Sequence, residues 1–287
     1  MKTNILIIIM FLFLITIFQC TKKNPTVPTN KSSAQYTINN NPALIIVIEN
    51  NNYLGGSMIE TGFNLYKDQI LEILADIFNI DVSDMNNMTL TEIVDVYGED
   101  WQINEIINIA KPYYQKIISL TDQNATSQNF LDSLKFLSNK EYNIDMIFNL
   151  HGNENSIRFA DRLYNIDELV QSIQNSNISI RSLYQTCCFG SETIDEWESI
   201  STIAINGAKA ENSLAIFSPV LFIDYWTSGM TFNQAVQVTY QTEIDTISSY
   251  KTVLPIIEYI FTDEIKENSR QITGGLDSTL LWINYPI

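Results

Sequence analysis

From residue 42 onward, short apolar runs alternate with segments whose apolar residues recur at helical spacing. That alternation is the pattern of an α/β protein built on a mainly parallel sheet. Ala43-Leu44-Ile45-Ile46-Val47-Ile48 reads as a first buried strand, stopped by Glu49-Asn50-Asn51-Asn52 and Gly55-Gly56. Residues 63–78 repeat apolar positions as a helix does, with Thr61 as the expected N-cap, so strand and helix form a βα unit. Residues 83–112 read as a helical insertion. Residues 114–120 read as a second strand, 122–126 as a turn, 127–137 as a helix and 144–150 as a third strand. A loop or small hairpin over 153–164, a helix over 166–173 and a strand over 178–184 follow. Beyond them the pattern predicts a helix over 193–199, a strand over 202–206, a helix over 232–240, and a turn with a last extended piece over 274–282.

The order of these elements directs attention to one place. The strands over 144–150 and 178–184 are joined by a helix, and a right-handed βαβ crossover sets such strands parallel and usually side by side. The chain has a single histidine, His151, directly after the first of them and before Gly152. The second ends in Gln185-Thr186-Cys187-Cys188-Phe189-Gly190. Parallel sheets bury their strands and present polar chemistry at the carboxyl ends, so an imidazole and a thiol are expected on one rim. One or two inter-strand spacings of about 4.8 Å would separate them. A thiol with an ordinary pKa of about 8.5 is only slightly ionised at neutral pH, and a neighbouring imidazole would both activate it and protonate a leaving amine. Each residue alone has a plainer reading: a cysteine at a strand end as packing, a histidine before glycine as a satisfied polar group.

The run Asn149-Leu150-His151-Gly152, followed by a short helix, an apolar strand and Gln185-Thr186-Cys187-Cys188-Phe189-Gly190-Ser191, resembles the caspase-hemoglobinase superfamily of cysteine peptidases, which includes caspases, legumains and clostripain. The resemblance implies a three-layer sandwich over residues 42–287, with helices on both faces of a mainly parallel sheet. It implies a Cys/His dyad in which Cys187, rather than Cys188, is the nucleophile and His151 the general acid/base. The backbone N–H groups of Gly152 and Cys187 would be the oxyanion donors, and a peptide or protein the substrate. The different-class alternative is a surface lipoprotein that keeps this fold as a non-catalytic binding or adhesion module.

Composition narrows the partners. With 287 residues, 45% of them hydrophobic and 17% charged, the chain reads as globular. Thirty-three acids against sixteen bases give a net charge of -17, which repels nucleic acid and anionic lipid surfaces. Among the carboxylates, Glu211 and Asp224, with Ser213 between them and Asp195 nearby in sequence, are candidates for a substrate pocket that takes a basic side chain. The apolar segment over 213–225 would supply one wall of that pocket. Asp145 and Glu192 could tune the site, but the plainer reading is that they are solvated. Cys188 reads as a small core residue, or as the partner of Cys187 in a strained vicinal disulfide. One histidine and two adjacent cysteines do not fill a zinc site, no EF-hand spacing is present, and no Gly-x-Ser-x-Gly elbow supports a serine hydrolase, so no metal or cofactor is expected.

The N-terminus reads as an address. Lys2 precedes an apolar run from Ile5 to Phe18 broken only by Thr16, which matches a signal peptide over residues 1–19. Ile17-Phe18-Gln19-Cys20 resembles a bacterial lipobox, which implies diacylation of Cys20; ordinary cleavage and an uncleaved anchor are the alternatives. Residues 20–41 carry Pro25 and Pro28 among polar residues and read as a flexible tether. The expected location is therefore the cell envelope, lipid-anchored, or the space beyond it.

Overall fold

The computed structural model describes residues 41–49, 67–78, 81–93, 98–200, 202–213, 215, 217–250 and 261–275. In chain order its elements are β1 (Pro42–Glu49), α1 (Lys67–Phe78), α2 (Val82–Met85), α3 (Leu90–Ile93), α4 (Trp101–Ala110), β2 (Lys116–Thr121), α5 (Ser127–Ser138) and β3 (Asn143–Leu150). Three short strands follow, β4 (Gly152–Asn153), β5 (Ser156–Arg158) and β6 (Leu163–Asn165). Then come α6 (Ile166–Gln174), β7 (Ile180–Gln185), α7 (Ile194–Ser199), β8 (Ala204–Ala208), α8 (Ser218–Thr227), α9 (Phe232–Ser249), α10 (Asp263–Ser269) and β9 (Gln271–Gly274).

β1 is buried at every position and β3 at all but its first, as central strands covered on both faces must be. The main sheet runs β2-β1-β3-β7-β8-β9; its first five strands are parallel, and β9 closes the far edge antiparallel. On one face Ile45, Val47, Met146, Phe148 and Leu183 pack against Phe130 and Leu134 of α5, Leu169 and Ile173 of α6, and Trp197 of α7. On the other, Leu44, Ile46, Ile147 and Tyr184 meet Ile103 and Ile106 of α4, Phe222 and Trp226 of α8, and Phe232 and Val236 of α9. Side chains of alternate parity along each strand thus feed two cores, and the protein is an α/β sandwich of three layers.

Several sequence expectations are revised by this packing. The region 83–112 is not wholly an insertion, because α4 belongs to the helical layer through Ile103, Ile106 and Ala110. Residues 153–164 fall within a separate antiparallel sheet, β4-β5-β6. Phe159 anchors that sheet to the body by stacking on Phe130 at 5.5 Å, and Asp161 accepts hydrogen bonds from Ser127 N and Oγ at 2.7 Å each. Helix α10 was not among the expected elements, although Thr262 caps it and Asp263 and Glu264 stand in its first turn.

Asp145 is not solvated. It is fully buried, since β3 has no face turned to water, and its carboxylate is therefore satisfied internally. Arg181 Nε donates to Oδ1 at 2.8 Å and Arg181 Nη2 to Oδ2; Ser182 Oγ donates to Oδ1 at 2.6 Å and the Tyr114 hydroxyl to Oδ2 at 3.0 Å. The register between β3 and β7 shifts at Ile144/Asp145, where this cluster sits.

The signal segment over 1–19, Cys20 and the tether to residue 40, Gly55-Gly56, Thr61, and the tail beyond residue 275 lie outside the described residues. Among the described residues no helix is long and apolar enough to cross a membrane.

Candidate functional site

Strands β3 and β7 are immediate neighbours, paired in parallel with Phe148 opposite Gln185. Pairing extends one step beyond β7, where Thr186 N–H donates to the Phe148 carbonyl at 2.9 Å. His151 and the Cys187-Cys188 pair therefore leave the sheet at the same end, as the crossover argument requires.

His151 is half-buried and leads directly into β4. Its carbonyl accepts from Arg158 N–H at 2.8 Å, so the next pair, Gly152 and Ile157, is of the non-hydrogen-bonded kind. That register turns the Gly152 N–H away from Ile157. The glycine itself is pressed onto the cysteines. A Cβ at Gly152 would lie 2.8 Å from the Cys188 carbonyl oxygen and 2.9 Å from Cys187 Cβ, closer than side chains pack, so only glycine permits this approach. Gly152→Ala is expected to push the hairpin off the cysteine turn. Reaction of Cys187 with an activated peptide ketone should slow by about 10²-fold, the usual consequence of misplacing reacting groups by an ångström. An unchanged rate constant would show that the contact does not position the site.

Cys187 is 1% exposed and packs in the core that holds Phe148, Leu150 and Trp197. Burial pushes its thiol up to about 12, the neighbouring Cys188 adds to this, and backbone hydrogen bonds of Leu150 and Cys187 itself act in the opposite sense. Cys188 is also buried, and its Sγ accepts from Asn212 N–H at 3.4 Å. Both thiols are free in this structure, and Cys188 sits as a buried small residue.

The turn after Cys187 is braced from below. Phe189 takes a left-handed conformation with φ of 55° and donates its N–H to the Ala210 carbonyl at 2.8 Å. Gly190 lies on Gly207 of β8, at van der Waals distance only because neither carries a side chain. Gln185 exchanges two 2.9 Å hydrogen bonds with the Asn206 side chain and donates through Nε2 to the Gly190 carbonyl and Thr193 Oγ1, each at 3.2 Å.

A buried polar layer joins the two strand ends. Thr186 Oγ1 donates to Asn149 Oδ1 at 2.8 Å, and Asn149 Nδ2 donates to Gln102 Oε1 at 2.9 Å and to the Ala215 carbonyl at 3.1 Å. Asn212 Nδ2 donates to the Thr186 carbonyl at 2.7 Å. The sequence assigns no role to Gln102, Asn149 or Asn212, because their partners stand 26 to 66 residues away and no local spacing signals them.

The pocket candidates divide. Glu211 and Ser213 lie on the segment that follows β8 and crosses the rim; the Glu211 carboxylate accepts from Asn268 Nδ2 at 3.1 Å, and Ser213 N–H donates to Ser269 Oγ at 2.9 Å. Asp224 does not join them. It is exposed on α8, two residues before Trp226, whose ring lies 5.5 Å from the guanidinium of Arg181 near the start of β7. Much of 213–225 is this helix, which carries Asp224 toward the opposite end of the sheet from the cysteines. Asp195 lies in the first turn of α7. Beside it, partial burial raises Glu196, the opposing influence is its own backbone, and Asp167 and Asp195 raise it further; partial burial and then Glu154 raise Glu192. Carboxylates therefore gather where the hairpin faces the cysteine turn. On the other side of β3, oxygens of Glu49, Glu99 and Asp122 lie within 4.8 Å of one another, a trio drawn from three separate segments and so invisible to spacing arguments.

No known family model matches this chain, and no curated protein matches it.

Proposed function

We propose that this protein is an exported cysteine endopeptidase of the caspase-like type, with Cys187 as nucleophile and His151 as general acid/base. One observation carries the reading: at the carboxyl ends of two adjacent parallel strands, the backbone after the sole histidine packs directly on the cysteine pair. In this reading His151 takes the proton from Cys187 Sγ as the sulfur attacks a substrate carbonyl. The Gly152 and Cys187 N–H groups receive the developing oxyanion, and the proton passes from His151 to the departing amine. Water, deprotonated by His151, then cleaves the thioester and restores the thiol. No cofactor enters this scheme. The substrate is a peptide or protein, and residues 42–287 are assigned to the peptidase domain. Export, and a lipid anchor through Cys20, rest on the N-terminal pattern alone.

A second reading, a non-catalytic binding module on the same fold, draws support from the burial of Cys187 and its raised thiol. Labelling at pH 7 with a peptide acyloxymethyl ketone, followed by mass spectrometry, separates the two. Under the peptidase reading Cys187 reacts faster than Cys188, and His151→Ala slows it by about 10²-fold or more. Equal slow labelling in both proteins favours the binding module. The buried thiol also sets a pH profile. Because the resting form favours the protonated sulfur up to about 12, alkylation of Cys187 by iodoacetamide in the substrate-free protein should climb close to tenfold per pH unit between roughly pH 7 and 10. A plateau below about pH 8 would mean that the resting thiol is already ionised.

A further inference from the structure

We propose that Asn212 is a positioning residue for the oxyanion site, acting by fixing the plane of the Thr186–Cys187 peptide. This rests on the peptidase reading above and adds to it a residue that neither the dyad nor its glycine implies. Asn212 is 4% exposed and grips the chain on both sides of the nucleophile: Nδ2 donates to the Thr186 carbonyl at 2.7 Å, and its backbone N–H donates to Cys188 Sγ at 3.4 Å.

The Thr186 carbonyl and the Cys187 N–H belong to one planar trans peptide and point in opposite directions. Whatever holds that carbonyl therefore aims that N–H. A hydrogen bond accepted by the carbonyl also polarises the amide, which makes the N–H a stronger donor to developing negative charge. The residue that leads into this plane is fixed as well: Thr186 N–H, in the preceding peptide, donates to the Phe148 carbonyl at 2.9 Å, and Thr186 Oγ1 donates to Asn149 Oδ1 at 2.8 Å. Asn212 is anchored in turn, because the next residue, Ser213, donates its N–H to Ser269 Oγ at 2.9 Å. The segment after β8 thus transmits a fixed position from α10 to the peptide that precedes the nucleophile.

The test compares two reactions of the same sulfur in the full chain. Attack on a peptide carbonyl builds an oxyanion, whereas displacement of iodide from iodoacetamide does not. In Asn212→Leu, which keeps the side-chain size and removes the donor, kcat on a peptide substrate should fall by about tenfold to 10²-fold with KM nearly unchanged. A peptide aldehyde, which forms an oxyanion-bearing adduct, should lose affinity by the same factor, while the rate constant for iodoacetamide at Cys187 stays within about twofold of wild type. Asn212→Gln keeps a donor one methylene further out and should recover part of kcat; it also decides the matter if the leucine variant does not fold. Parallel loss of turnover and alkylation would show a merely structural role and overturn the proposal. Unchanged turnover in Asn212→Leu, with wild type active, overturns it alone. A wild-type protein without His151-dependent turnover or ketone labelling overturns the peptidase reading and this inference with it.

Discussion

Gly207→Ala is expected to lower Tm by roughly 6–12 °C and to slow the reaction of Cys187 with a peptide ketone. A Cβ at this position would overlap the carbonyl of Gly190 and the amide nitrogen of Ser191, which are backbone atoms and cannot rotate aside. Gly207 sits in β8, paired with Ile272 of β9, so the strand is held on that side and the turn after Cys187 must yield. That turn is itself tied through Phe189 N–H to Ala210 and through Gln185 to Gly190 and Thr193. Forcing a methyl group into a packed interior costs about 3 kcal/mol at the upper end of the usual range. For a domain of this size each kcal/mol moves Tm by roughly 2–4 °C. Differential scanning calorimetry of the variant checks the first effect and ketone labelling the second. A variant melting within about a degree of wild type would mean that the turn has room to shift, and the bracing role assigned to the glycine pair would be wrong.

Asp145→Ala should be more damaging to stability, by about 3–5 kcal/mol, because it leaves the Arg181 guanidinium without its buried counter-charge. Arg181 is 6% exposed and Asp145 is fully buried, so water screens neither partner. The substitution also removes the acceptor for Ser182 Oγ and for the Tyr114 hydroxyl. The guanidinium lies 5.5 Å from the ring centre of Trp226, a contact too weak to replace the carboxylate. Replacing both charges, as Asp145→Leu with Arg181→Met, should recover most of the loss, since a well-packed apolar pair avoids desolvating either ion. Urea unfolding of the three proteins measures this directly. The account fails if the double variant is as unstable as Asp145→Ala, which would locate the effect in packing volume rather than in the unpaired charge.

The parts of the fold that were legible were those with a local signature. The run 43–48 is apolar at every position, and such a run in an alternating strand-helix pattern has few places to go except the centre of a parallel sheet. Helical spacing located α5, α6 and α9, although α9 extends to Ser249, well beyond the strongly patterned stretch. The apolar and aromatic content of 213–225 describes a helix wedged between two others as well as it describes a pocket wall, and from Ser218 onward the segment is helix. A single acid in an apolar run, such as Asp145, does not reveal in the sequence that Arg181 and Ser182 wait on the neighbouring strand.

Local pattern placed the central strands and several of the helices in order, and put the one histidine and the cysteine pair on the same rim, because hydrophobic period and crossover handedness act over short stretches of chain. Tertiary structure alone decided that Gly152 rests on the cysteines, that Gly190 rests on Gly207, that Asp145 meets Arg181, and that Asn212 grips Thr186. It also decided that Cys187 packs within the core of the sandwich. Each of these depends on close approach between residues far apart along the chain, and packing at that range is set by the shapes of whole layers rather than by any local pattern.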